Sequence, residues 1–397
     1  MKPTTPTPLT AGASLRLRQT GAYYAAFILL GMVMASLGPT LPRLAANTGT
    51  AIEEISFLFV GRSLGTVMGA LLGGGLYDRR PGHPIIAATL LLMALMLLLT
   101  PLIPRLWLLT LILFLLGMGE GTLDVGTNTL LVWVHGAKVA PYMNGLHFFF
   151  GVGTFFSPLI FAQSLLHSGG ITWGYWLLAL LPLPLLLWFL RLPAPPLSRT
   201  PAGVGALRHK DNLLVLLIAV FLGLYVGTEV GFSGWIASYA LAMGLAEEAA
   251  AAYLTSAFWG AFTAGRLLSI PLAARIRPST ILLIDLAGAL LSVGLLLLRP
   301  HSVALTWIAS ISLGWFLASI FPTTLAVAER RLAITGRVTS WFFVGASSGA
   351  MTIPWLIGQL FARRGPQIIM VAFLVDLLVA TALFAVLRWR SARPLPA

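Results

Sequence analysis

Inside one apolar run, three polar groups recur every four residues: Glu120, Asp124 and Asn128 of "GEGTLDVGTN". Residues four apart share a helix face, so two carboxylates and a carboxamide form a stripe about 12 Å long at about 1.5 Å per residue. Hydrocarbon penalises such a stripe, which must face a bundle interior or a water-filled cavity. Two carboxylates one turn apart repel, and protonating one relieves the repulsion, which suits a proton carrier. The same oxygens suit sodium, a hard cation, with Asp124 and Asn128 as its ligands. A third reading keeps the acids structural, each neutralised by an intramembrane cation, Arg62 or Arg266.

Two further segments carry polar groups in apolar surroundings. "PYMNGLHFFFGVGTFFSP", 141–158, sets Asn144 and His147 on one face with Gly151 a turn further on. An amide and an imidazole beside aromatic rings supply hydrogen bonds for hydroxyls and an apolar face for C–H groups, as a sugar site requires. A lone helical histidine also serves as a structural hydrogen-bonder. "YVGTEVGFSGWIASYA", 225–240, carries Glu229 midway along its run and Trp235 beyond it. Glu229 is the natural counterpart of the stripe across a central cavity, a third acid for a coupling ion. Asp285 and Asp376 lie in bland apolar runs, where a structural role has more weight.

The elements that position these groups are membrane-spanning helices. The chain has 397 residues, 58% hydrophobic and 9% charged. A spanning helix needs about 20 mostly apolar residues, and twelve fit, at 20–42, 52–76, 84–103, 106–133, 141–166, 172–190, 212–242, 249–274, 279–298, 303–328, 338–361 and 367–388. Segments of alternating polarity for a β-barrel are absent, so the expected class is an all-α integral membrane protein. The divisions are a polar tail at 1–19, without a cleavage site after a short apolar core, a six-helix bundle at 20–191, a linker at 192–211, a second bundle at 212–390 and a tail at 391–397. The linker is the Pro-rich, basic "RLPAPPLSRTPAGVGALRHKDN". "GRSLG" at 61–65 and "GRLLS" at 265–269 echo each other, as related halves would.

A net charge of +13 in a soluble chain would suggest nucleic acid, but its placement excludes that reading. Eighteen Lys and Arg lie in the tails and even-numbered loops and five in the odd loops, which puts both termini in the cytoplasm. The basicity is topological, with attraction to the lipid bilayer, and the layout suits a bacterial inner membrane. Catalysis is not expected: neither a Ser-His-Asp nor a metal constellation is present, the chain has no cysteine, and no cofactor motif occurs. A sensor would need a soluble output domain of about 50 residues or more, and the longest non-membrane stretch is about 20. Glycines 61, 65, 69 and 73 instead make a smooth stripe for close helix contact, and Gly345 and Gly349 do the same.

"GGGLYDRRPG", 73–82, follows the second span and resembles the loop signature of the major facilitator superfamily. Gly74, Asp78 and Arg79 fit it, whereas Arg80-Pro81-Gly82-His83 displaces its second glycine and lacks its trailing basics. Asp78 and Arg79 at a helix end are placed to latch one conformation of a rocking transporter; the alternative is positive-inside anchoring. More specifically, "LDVGTN", "PYMNGLHFFFGVG", "YVGTEVGFSGWIASY", "FWGAFTAGR" and "SIFPTTLA" resemble the fucose, galactose and glucose symporter family and its sodium-dependent glucose transporter relatives. The resemblance implies the major facilitator fold and alternating access, with Asp124 and Asn128 matching the fourth-span pattern. Asn144 and His147 match the fifth, with histidine in place of the fucose-type glutamine, and Glu229 with Trp235 match the seventh. The first-span carboxylate of fucose-type members is missing, so Glu120 or Glu229 would take its part, or the ion would differ.

The expectation is therefore a monomeric secondary transporter moving a small polar solute, most plainly a sugar, coupled to protons or sodium. Asp124, Glu120 and Glu229 would serve the ion, and Asn128, Asn144, His147 and Trp235 the solute. An exporter of amphipathic drugs or lipids is the nearest alternative, and would favour a large apolar cavity.

Overall fold

The computed structural model describes residues 8–197, 212–330, 332 and 336–392, and among these every regular element is helical. The helices are α1 (Pro8–Met34), α2 (Leu37–Thr48), α3 (Ile52–Ile55), α4 (Phe57–Tyr77), α5 (Gly82–Leu99), α6 (Leu106–His135), α7 (Ala140–Ser168), α8 (Thr172–Leu180) and α9 (Pro182–Arg191). A second group comprises α10 (Asn212–Ala242), α11 (Glu248–Ala273), α12 (Pro278–Leu298), α13 (Val303–Leu317), α14 (Ile320–Glu329), α15 (Gly336–Arg364) and α16 (Ile368–Ala392). Among the described residues nine segments are long and apolar enough to cross a membrane, and the bent pair α1–α2 makes a tenth. α11 and α15, of 26 and 29 residues, are long enough but fall outside that set. Residues 8–19, expected as a polar tail, are already helical; residues 1–7 and most of the expected linker lie outside the described residues.

Proline explains where spans break. Pro39 has no N–H for the carbonyl of Ala35, and α1 and α2 meet there at 45°. Pro322 leaves the carbonyl of Ala318 without its helical donor, at the junction of α13 and α14. Each freed end has an arginine beside it. Arg62 Nη2 donates to the Val33 carbonyl at 2.6 Å, and Arg266 Nε to that of Ala318 at 3.4 Å.

Glycine sets how closely the helices approach. A Cβ on Gly65 or Gly69 of α4 would run into the Phe114 or Met118 carbonyl of α6, and one on Gly117 or Gly121 of α6 would meet the Arg62 or Thr66 carbonyl of α4. α1 and α7 interlock the same way through Gly31 and Gly153, α10 and α15 through Gly345 and Gly349, and α11 with α13 through Gly314. The stripes thus join helices within each group, as small residues do in membranes.

Under this contact lies the ion pair Arg62–Glu120. Glu120 is 1% exposed; Arg62 Nε reaches both its oxygens at 3.1 Å and Nη2 reaches Oε1 at 2.5 Å. The two groups meet along a seam. Gln359 Nε2 donates to the Glu53 carbonyl at 2.8 Å, Ser256 Oγ to that of Phe155 at 3.0 Å, and Gln163 Nε2 to the Tyr253 hydroxyl at 2.7 Å. Arg43 pairs with Glu248 at 2.8 Å, and the Phe59 and Trp235 rings lie 5.9 Å apart. These contacts gather at the end where α2 turns into α3; Asp78 and Arg79 lie at the opposite end of α4, both exposed.

Two stability predictions follow from this packing. Gly65→Leu should cost about 1–3 kcal/mol or more through overpacking, whereas Gly75→Ala, where a Cβ meets nothing within 4 Å, should be neutral or gain up to about 1 kcal/mol; unfolding in detergent compares them. Arg62→Gln or Glu120→Gln alone should cost about 3–5 kcal/mol by stranding a buried charge, while Arg62→Leu with Glu120→Leu should cost clearly less than the two singles added together. A double-mutant cycle read by the same unfolding assay checks this.

Candidate functional site

The polar stripe of α6 divides. Glu120 reaches Arg62 of α4, whereas Asp124 and Asn128, one and two turns further along α6, do not. Glu120, expected among the coupling-ion ligands, has both oxygens engaged by Arg62 in this conformation, the arrangement of the alternative reading in which the acid is neutralised by an intramembrane cation. Asp124 and Asn128 are partly exposed and bond to each other: Asn128 Nδ2 donates to Asp124 Oδ1 and to the Asp124 carbonyl, both at 2.9 Å. That leaves the carbonyl oxygen of the Asn128 amide and a carboxylate edge for a hard cation or a proton. Among the described residues no hydrogen bond or ion pair joins this couple to Asn144, His147 or Glu229.

A second cluster forms where α7, α10 and α11 meet. Tyr24 of α1 anchors the start of α7, donating to the Tyr142 carbonyl at 3.0 Å and lying 4.9 Å from the Phe149 ring. Asn144 and His147 remain exposed there, with Phe27 edge-on to His147 at 5.8 Å. The His147 imidazole lies within electrostatic reach of Arg266 on α11. Glu229 is partly exposed on α10, in the field of the same guanidinium, with the Tyr225 hydroxyl one turn away beside both. Arg266 stands over the Phe262 ring, 4.6 Å from its centroid. The field of Arg266, which the sequence marked only as a structural cation, thus reaches both Glu229 and His147.

Trp235 takes another place. It is fully buried, its Nε1–H donates to the Pro354 carbonyl at 2.9 Å, and its ring lies 6.0 Å from that of Phe361. Trp235, expected as a solute ligand, thus packs at the seam in this conformation, with its indole N–H engaged. Asp285 and Asp376 are both buried and accept from hydroxyls, Asp285 from Ser319 and Asp376 from Thr228 at 2.5 Å. Among the described residues no cluster of three His, Cys, Asp or Glu stands ready for a metal ion. Tyr225 escaped sequence reading because a tyrosine in an apolar run looks like packing; its signal was the one-turn spacing to Glu229.

Comparison with known proteins agrees with this architecture. The sequence profile of the Major Facilitator Superfamily matches residues 23–354. Sodium-dependent glucose transporter 1A of Mus musculus is 32% identical over 374 residues, which cover 85% of this chain and 88% of the mouse protein. Sodium-dependent glucose transporter 1 of Danio rerio is 31% identical over 86% of this chain, which spans 64% of the length of the fish protein. Among solved structures, the nucleoside transporter NupG superposes with a TM-score of 0.72 at 14% identity, covering 96% of this chain and 100% of that one. A D-xylose-proton symporter gives 0.73 at 14% identity over 92% and 97% of the two chains. With helices long and apolar enough for several crossings, this all-helical chain is a multi-pass membrane transporter, not an enzyme, and belongs to the Major Facilitator Superfamily.

Proposed function

We propose that the chain is a secondary active symporter that moves a neutral sugar-like solute by alternating access, coupled to sodium or protons. The observation that carries the reading is exposed His147, one turn from exposed Asn144, in the field of Arg266, which also acts on Glu229, in an otherwise apolar bundle. The chain's likeness to the 31–32% identical sodium-dependent glucose transporters supports glucose as the first solute and sodium as the first ion to try. In this reading Asp124 and Asn128 hold the coupling ion. The chain works as a monomer with twelve spans in two six-helix bundles, and its termini lie on the cytoplasmic side of a plasma membrane, as the distribution of arginine and lysine favours. The seam then closes the outer side, and Asp78 and Arg79 belong to a latch that engages when the inner side shuts.

One observation favours a second reading, an exporter of amphipathic molecules. On another face of α10 an apolar groove of about 730 Å³ runs between α10, α15 and α16, lined by Leu216, Val220, Leu224, Val344, Leu356 and Val375 among others. Movement of an amphipathic dye without movement of any sugar would select it.

The test is transport in proteoliposomes. The parent should accumulate labelled glucose against its gradient when sodium or a pH gradient is imposed. Asp124→Asn should lose at least about ten-fold in accumulation, about 1.4 kcal/mol of coupling, while keeping ion-independent counterflow. Accumulation equal to that of the parent at every pH and sodium level would remove Asp124 from the coupling site.

A further inference from the structure

We infer that Glu229, Tyr225 and Arg266 recognise vicinal hydroxyls of a neutral polyol, and that Glu229 serves the solute rather than the coupling ion. This assignment rests on the symporter reading above. Its first support is a gap in the hydrogen bonding. Tyr225 is 3% exposed, and its hydroxyl completes no hydrogen bond of full geometry, although Glu229 and Arg266 both lie within hydrogen-bonding reach of it. A buried hydroxyl that is not fully partnered costs stability, and here an acceptor and a donor both stand beside it. Among the described residues Glu229 and Arg266 form no ion pair within 4.0 Å; Arg43–Glu248 and Arg62–Glu120 are the pairs that do.

The guanidinium is held without closing that gap. Its Nε reaches the Ala318 carbonyl at 3.4 Å, its carbon stands 4.6 Å from the Phe262 centroid, and among the described residues its two Nη nitrogens make no hydrogen bond. Two donors, a carboxylate acceptor and a phenol that does both fit adjacent hydroxyls of a ring. Trp259 shares a helix face with Phe262 and Arg266, being three and seven residues before them. Its ring lies 5.3 Å from that of Phe262, and its indole N–H is likewise unpartnered. Across from these, exposed His147 lies within the field of Arg266. Aromatic faces flanking such donors suit the C–H surface of a pyranose or cyclitol.

Charge excludes the ion from this place. Arg266 already acts on Glu229, and a sodium ion there would meet a fixed positive charge; among the described residues no cation pairs with Asp124 within 4.0 Å. Because carboxylate and guanidinium cancel, the cluster favours neutral polyols over uronates and amino sugars.

The experiment uses the full chain in proteoliposomes, with uptake of labelled glucose and of singly deoxygenated glucoses over a range of sodium and pH. Glu229→Gln and Arg266→Gln should each raise the KM for glucose at least about ten-fold, with the ion concentration for half-maximal uptake within two-fold of the parent. Tyr225→Phe is the folding-safe variant. Losing only one hydroxyl and no packing volume, it should melt close to the parent temperature, yet show a several-fold higher KM and weaker discrimination against one deoxyglucose. An unchanged glucose KM in Tyr225→Phe, or a shifted ion requirement with unchanged KM in Glu229→Gln, overturns the assignment. A parent that moves no sugar in counterflow overturns the symporter reading, and this assignment with it.

Discussion

An arginine and a glutamate inside the apolar bundle, Arg62 and Glu120, impose the arrangement around them. Neither charge is tolerable alone in hydrocarbon, so α4 and α6 must approach until guanidinium and carboxylate touch. That approach is possible only because glycine lines both helices where they cross. The spare donor of Arg62 then reaches the Val33 carbonyl beside the bend between α1 and α2. One pair thereby links three helices and secures a place where a spanning helix is interrupted.

The same pair divides labour among the acids of α6. With Glu120 committed to Arg62, Asp124 is the carboxylate of that helix with open space beside it, and Asn128 holds it from one turn away. The acids of the second group are committed in their own ways: Asp285 and Asp376 accept from hydroxyls, and Glu229 shares its surroundings with Arg266. Charge inside this bundle is therefore sorted into fixed braces and exposed groups.

Much of this was legible in the sequence. Apolar runs marked the helices because length and hydropathy are local properties. The glycine stripes predicted close contact because their spacing alone makes a smooth face, and Arg62 was visible as a possible partner of a buried acid. Partner choice was not legible. That Arg62 takes Glu120 and leaves Asp124 open depends on the rotation of α6 against α4, which no single helix encodes. Trp235 resembled a solute ligand by family pattern, yet its burial comes from Phe59 and Phe361, 176 residues before it and 126 after it in the chain. Proline at 39 and 322 was readable, but that Arg62 would donate beside the first break, to Val33, and Arg266 to the Ala318 carbonyl freed at the second, needed three dimensions.

The glycine contacts carry a mechanical consequence. Where backbone rests on backbone there is no side chain to change rotamer, so a pair such as α4 and α6 behaves as a stiff beam. Bending must then concentrate where the hydrogen-bond ladder is already cut, at Ala35–Ser36 and at Ala318–Ser319. Beside each interruption an arginine donates to a carbonyl, Arg62 to Val33 and Arg266 to Ala318. The molecule thus separates its rigid parts from its compliant ones by residue type: glycine where motion is forbidden, proline with arginine where it is allowed.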